Sequence, residues 1–75
     1  MINLKNVHTV PWQGKWANKH PYENDARDIF RRKKDAVRAG RTAAKSARAE
    51  HFIHSRNGRI LVRNSYGRDP RGARG

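Results

Sequence analysis

One segment of this chain, residues 32–48, has helical periodicity, and the residues on its apolar side are almost all small. At about 100° per residue, six residues fall within one arc of about 120°: Ala36, Val37, Gly40, Ala43, Ala44 and Ala47. A stripe of small side chains lets a helix lie close on a sheet. The segment therefore predicts one helix packed on one face of a β-sheet.

Segments with strand character lie on both sides of the predicted helix. Before it, NVHTVPW (6–12) alternates, with Val7 and Thr9 on one side and His8, Val10 and Trp12 on the other, and residues 15–20 follow a turn at residues 13–14. After it, HFIHS (51–55) and RILVRN (59–64) flank Asn57-Gly58. That pair favours a type I′ hairpin turn, in which both central residues have positive φ.

These elements predict an α+β fold of order β-β-α-β-β, with a small antiparallel sheet and one helix packed on one face. Residues 1–66 would form the single domain, and its larger apolar residues would complete the core: Trp16, Phe52, Ile53, Ile60, Leu61, Val62 and Tyr66. Residues 67–75 are rich in glycine and arginine, so they are expected to form a flexible basic tail.

Charge is the strongest compositional feature, since 18 basic and 6 acidic residues give a net charge of +12. Residues 1–30 contribute +1 and residues 31–75 contribute +11. The imbalance predicts a polyanionic partner for the last two thirds of the chain. The chain has no cysteine, no secretion signal and no apolar run of about 18 residues, so we expect a cytoplasmic protein without a membrane partner.

The basic residues of the predicted helix form a stripe beside the apolar one. They recur at intervals of three and four residues, at Lys34, Arg38, Arg41, Lys45 and Arg48. Three more arginines surround or follow the predicted hairpin turn, at Arg56, Arg59 and Arg63. Because the arginines outnumber the lysines by twelve to six, forked contacts to phosphate or carboxylate are favoured.

Several short motifs resemble those of the small prokaryotic and phage family called domain of unknown function 2188. They are VHTVP (7–11), Gly14-x-Trp16, Phe30-x-x-Lys33 before the alanine-rich helix, AE-x-x-IH (49–54), RNGRI (56–60) and SYG-x-DP (65–70). The resemblance covers nearly the whole chain and implies a ββαββ-like domain without an assigned activity. The family usually mixes glutamate with lysine along the helix and ends in a proline-rich tail, so the basic helix and the arginine tail are particular to this chain.

The leading hypothesis is a small nucleic-acid-binding protein, for DNA or RNA, that holds phosphates through those eight basic residues with little base specificity. Trp12, after Pro11 at a strand end, is the candidate for stacking on a base. The alternative is a small effector, of a kind that a phage could encode, that docks on an acidic surface of a host protein.

Other functional classes lack a recognisable pattern. The sequence contains no nucleophile with a base, no carboxylate pair and no phosphate-binding glycine loop at a recognisable spacing. We therefore expect neither an enzyme nor a small-molecule substrate. His8, His20, His51 and His54 are the candidate soft metal ligands, but His51 and His54 would point to opposite faces of a strand, and we expect no metal or other cofactor. His8 and His54 are predicted to face each other across strands.

Overall fold

The structure, a computed structural model, describes residues 3–26 and 28–67. These residues form one five-stranded sheet and one helix, which confirms the α+β class. The strands are β1 (Val7–Trp12), β2 (Lys15–Lys19), β3 (Asp28–Phe30), β4 (Glu50–His54) and β5 (Ile60–Ser65), and helix α1 (Lys33–Ala47) lies between β3 and β4. The strand order across the sheet is β3-β2-β1-β4-β5.

The sheet is mixed, so the prediction of an antiparallel sheet was wrong at one strand pair. Strands β1 and β4 are parallel, with Val7 opposite His51 and Thr9 opposite Ile53, while the other neighbouring strands are antiparallel. The unpredicted strand β3 explains the difference, because it reverses the chain once more before the helix. Without it β4 would run opposite to β1, and with it the two strands run the same way.

The hairpin turn predicted at residues 13–14 is present, but the second hairpin turn differs from its prediction. Asn57 does not have positive φ, so the expected type I′ turn at Asn57-Gly58 is wrong, although the hairpin itself is present. The positive φ pair lies instead at Gln13 (48°) and Gly14 (80°), between β1 and β2. The β4–β5 loop is longer: Gly58 N–H donates to the Ser55 carbonyl at 2.9 Å, and Ser55 N–H donates to the Arg59 carbonyl at 2.7 Å.

Helix α1 packs on strands β1 to β4 through its smallest residues. Ala36, Gly40 and Ala44, spaced four apart, are buried against the sheet, whereas Ala43 is exposed and two other residues of the predicted stripe, Val37 and Ala47, are half-buried. The helix ends at Arg48, which has φ 55° and ψ 51° and donates its backbone N–H to carbonyls of the last turn. This helix is too short and too polar to cross a membrane, and the described residues contain no other helix that could.

The core is made of smaller residues than predicted. Its buried apolar residues are Val7, Ala17, Ala36, Ala44 and Ala49. Ile60, Leu61 and Val62 of β5 are 55%, 59% and 42% exposed, because β5 is an edge strand outside the four that the helix covers in quantity. Phe52, Ile53, Trp16 and Tyr66 are only half-buried.

A chain of hydrogen bonds lies beneath the helix, among buried polar residues. The Thr9 hydroxyl donates to Asn18 Oδ1 at 2.6 Å, and Asn18 Nδ2 donates to the Ala36 carbonyl at 2.9 Å. Because the hydroxyl proton of Thr9 is thus used, His51 Nε2–H donates to Thr9 Oγ1, at 2.7 Å. A Cβ at Gly40 would lie 2.6 Å from His51 Nε2, so a glycine is needed where the helix crosses this chain.

Strand β5 has one irregularity in its pairing. Ile53 is opposite Val62, but the next residue, His54, is opposite Ile60, so Leu61 has no opposite residue on β4. Such a shift is typical of a β-bulge, which bends and twists a strand.

Candidate functional site

The predicted basic stripe lies on the solvent side of the helix, where it forms one row. This helix row consists of four residues of α1 and its C-cap: Lys34, Arg38, Arg41, Lys45 and Arg48. All five are exposed. From Lys34 to Arg48 there are 14 residue steps, or about 21 Å at about 1.5 Å per step. It is a continuous cationic surface beside the apolar stripe that faces the sheet.

The row lacks acidic neutralisation within the part of the chain that the structure describes. There the one ion pair joins Arg63 Nε to Glu50 Oε1 at 3.6 Å, away from the helix. Lys45 instead lies over the ring of Tyr66, with its Nζ 5.6 Å from the ring centroid. The positive charges of the row therefore face solvent.

The three arginines after the helix do not all join the helix row. Arg56 and Arg59 are exposed in the β4–β5 loop. Arg63 is opposite Phe52, whose ring stacks on that of His8, on the other face of the sheet. The eight predicted basic residues are therefore divided between two sides of the domain.

The second face of the sheet is not covered by α1 and carries several aromatic and histidine rings. Val7, Thr9 and His51 lie under the helix. Because side chains alternate along a strand, the residues next to them in β1 and β4 point to the opposite face of the sheet. We call this surface the open face, defined by His8, Val10, Trp12, Phe52 and His54, all half-buried. Sequence alternation predicted which residues of β1 share this face but not that it would remain uncovered.

Trp12, the predicted stacking residue, lies at one end of the open face. The Nζ of Lys19 is 5.4 Å from its ring centroid. A groove of 480 Å³ runs along this surface and is lined by His8, Val10, Trp12, Lys19, Tyr22 and His54, among others. Trp16, by contrast, lies near the start of the helix, with Lys33 Nζ 4.8 Å from its ring.

The predicted pair of histidines is present on the open face. His54 Nδ1–H donates to the Gly58 carbonyl at 2.9 Å, so His54 Nε2 is the acceptor for His8 Nδ1–H, at 3.0 Å. Burial, the neighbouring His54 and Lys19 together lower the pKa of His8. The lowered pKa favours the neutral form of the His8 ring.

His51 lies alone on the other face, as the strand alternation predicted. Burial and, next, the positive charge of Arg41 lower its pKa. Its Nδ1 is buried without a hydrogen-bond partner among the described residues. Within residues 3–26 and 28–67, no three His, Cys, Asp or Glu residues come together as metal ligands would.

Comparison with known proteins gives a family and nothing nearer. No curated protein and no solved structure matches the chain. A family model, described as an uncharacterized protein conserved in bacteria, matches residues 7–66, from the first residue of β1 to Tyr66. Since this match includes every strand and the helix, the chain belongs to the family called domain of unknown function 2188.

Proposed function

We propose that this protein binds nucleic acid by holding phosphates along the helix row, with little preference for sequence. The observation that carries the proposal is the row itself: five exposed cations at intervals of three and four residues, without an acidic partner among the described residues. If these cations served only to keep the protein soluble, they would not need to be aligned or to exceed the acidic residues so strongly.

The dimensions of the row are compatible with a phosphate backbone. Duplex DNA carries one phosphate about every 3.4 Å of axis on each strand, so a row of about 21 Å spans about six phosphate steps. Arginine and lysine contacts to phosphate position a protein but read no bases. The helix row therefore supports binding to many sequences alike.

The loop arginines have a secondary role in this proposal. Arg56 and Arg59 lie in the β4–β5 loop and can add phosphate contacts, while Arg63 is partly neutralised by Glu50 on the open face.

The proposed binding to nucleic acid also leads us to assign the protein to the cytoplasm, since nucleic acid is the commonest polyanion there.

Salt titration tests the proposal. If the five cations of the helix row each neutralise one phosphate, the logarithm of the binding constant on duplex DNA should fall with the logarithm of salt concentration, with a slope of about −4 to −5. Fluorescence anisotropy of a labelled duplex at several salt concentrations measures this slope. A nearly flat dependence would contradict the phosphate contacts and favour docking on a protein.

A further inference from the structure

The open face has a composition that the helix row does not share, because it combines rings with cations at its border. His8 and Phe52 stack with their centroids 4.6 Å apart and their planes 11° from parallel. Trp12 lies further along β1, and Tyr22, which is 79% exposed, lines the same groove. These are flat side chains at a surface, where apolar rings are usually covered.

Positive residues surround these rings. Lys19 lies over Trp12, and Lys15 and Arg56 line a second hollow together with Trp12. Arg63 lies beyond Phe52, with its side chain 63% exposed beside Glu50. The surface thus offers flat apolar contacts in the middle and cationic contacts at the border.

From this arrangement we infer that the open face is a binding site for single-stranded nucleic acid, in which bases stack on Trp12 and on the rings that line the groove. Lys15, Lys19 and Arg56 contact the flanking phosphates. Unpaired bases expose their flat faces, whereas the bases of a duplex are stacked inside it, so the open face selects single strands. The site lies on the opposite side of the sheet from the helix row and adds to the function proposed for that row.

Charge decides between a nucleic acid and a second copy of this chain as the occupant. Two copies packed through their open faces would bring two sets of the same border cations together, which would repel each other. A single strand supplies both a ring for each aromatic contact and a negative charge for each cation. The groove of 480 Å³ is open at the surface, as a chain of nucleotides requires.

The fluorescence of Trp12 provides a direct test. The chain has two tryptophans, so the variant Trp16→Phe leaves Trp12 as the only tryptophan. Titration of this variant with a thymidine decanucleotide should quench the tryptophan emission strongly, because a stacked base contacts the indole, and a duplex of ten base pairs should quench it far less. Anisotropy of the labelled oligonucleotide shows in parallel how much is bound. Binding without quenching would overturn the proposal, because it would mean that phosphate contacts alone hold the single strand.

A pair of variants separates this site from the helix row. Trp12→Ala should weaken binding of the thymidine decanucleotide about 5- to 150-fold, the effect of losing one stacked base, and leave duplex affinity unchanged. Trp12→Phe should recover most of the loss. Arg41→Glu on the helix row should instead weaken duplex binding. Equal loss of both ligands in Trp12→Ala, or no loss of the single strand, would overturn the inference about the open face, whereas an inert Arg41→Glu would contradict only the helix row.

Two controls keep the result interpretable. The thermal midpoint of each variant shows whether it is folded. If Trp12→Ala does not fold, the quenching experiment still tests the proposal, because it uses Trp16→Phe. Sedimentation of the wild-type protein at high and low concentration shows whether two copies associate. A dimer that dissociates when Trp12 is replaced would identify a second copy as the occupant and overturn the inference.

Discussion

His51 is the residue whose chemistry is most restricted by its surroundings. Its Nε2–H donates to Thr9, and its Nδ1 is buried without an acceptor, so a second proton on the ring would have no hydrogen-bond partner among the described residues. A neutral His51 is therefore part of the folded state. The same holds to a lesser degree for His8, which Lys19 and His54 face on the open side of the sheet.

This arrangement predicts a loss of stability in weak acid. The pKa values of His51 and His8 are lowered in the folded protein, so the unfolded chain binds more protons below its ordinary histidine pKa of 6.5. The contribution of the two neutral histidines to the free energy of unfolding is then fully present above about pH 6.5. It falls as the pH is lowered towards 5, before most carboxylates titrate. Thermal midpoints between pH 8 and pH 5 measure the trend. A midpoint that rises on acidification would contradict the buried neutral histidine.

Gly40 predicts a second effect at the scale of one residue. A Cβ there would lie 2.6 to 2.9 Å from His51, Asn18 and Thr9, three atoms already held by hydrogen bonds. Gly40→Ala should therefore reduce the free energy of unfolding by about 1–3 kcal/mol, although alanine is the better helix former. Urea denaturation measures the change. The exposed Ala43 is the matched control, since Ala43→Gly should cost only the helix propensity of about 1 kcal/mol.

At the scale of the element, α1 has two sides with separate tasks. Ala44→Glu would bury an unpaired charge against the sheet and should unfold much of the protein. Arg41→Glu, on the exposed row, should keep or slightly raise the thermal midpoint, since it relieves repulsion between like charges. Circular dichroism on heating compares the two. If Arg41→Glu unfolds the protein and Ala44→Glu does not, the assignment of the two sides is wrong.

The elements also show how far sequence patterns can predict this fold. The helix was predicted nearly to its bounds because its periodicity is local, and Gly40 stood within the stripe. Strand β3 has only three residues, too few for a period of two to be visible, and missing it reversed the predicted direction of β4. The hydrogen-bond chain could not be predicted, because Thr9, Asn18 and His51 meet only when β1, β2 and β4 are neighbours.

Exposure was the other property that sequence patterns predicted poorly. A strand's alternation tells which residues share a face, and it placed Trp12 correctly beside His8 and Val10. It does not tell whether a helix covers that face, or whether a strand lies at an edge. The apolar residues of β5 were therefore assigned to a core that does not include them, and the open face was recognised only at Trp12.

At the scale of the whole molecule, the charge extends beyond the described residues into the predicted tail. The prediction of a flexible basic tail falls, apart from Gly67, outside those residues. Deleting residues 71–75 removes Arg71 and Arg74. If the tail adds only mobile charge, the deletion should leave the thermal midpoint unchanged, weaken binding to every nucleic-acid sequence modestly and reduce the salt slope by up to about 2.

Wild type and truncation should be compared at low and high salt. A loss that persists at high salt would show that the tail makes ordered contacts with a partner, as expected for docking on a protein rather than for screened charge. Identical binding in both conditions would remove residues 71–75 from the proposed function.

The irregular pairing of β5 has a consequence for the tendency of this protein to aggregate. Three neighbouring aliphatic side chains on an outer strand would ordinarily invite fibril-like stacking of one molecule on another. Here the displaced Leu61 interrupts the ladder, and an antiparallel pair of β5 strands centred on it would set Arg59 of each molecule against Arg63 of the other. The exposed aliphatic residues of β5 are thus flanked by like charges, which oppose pairing of this edge strand with a second copy.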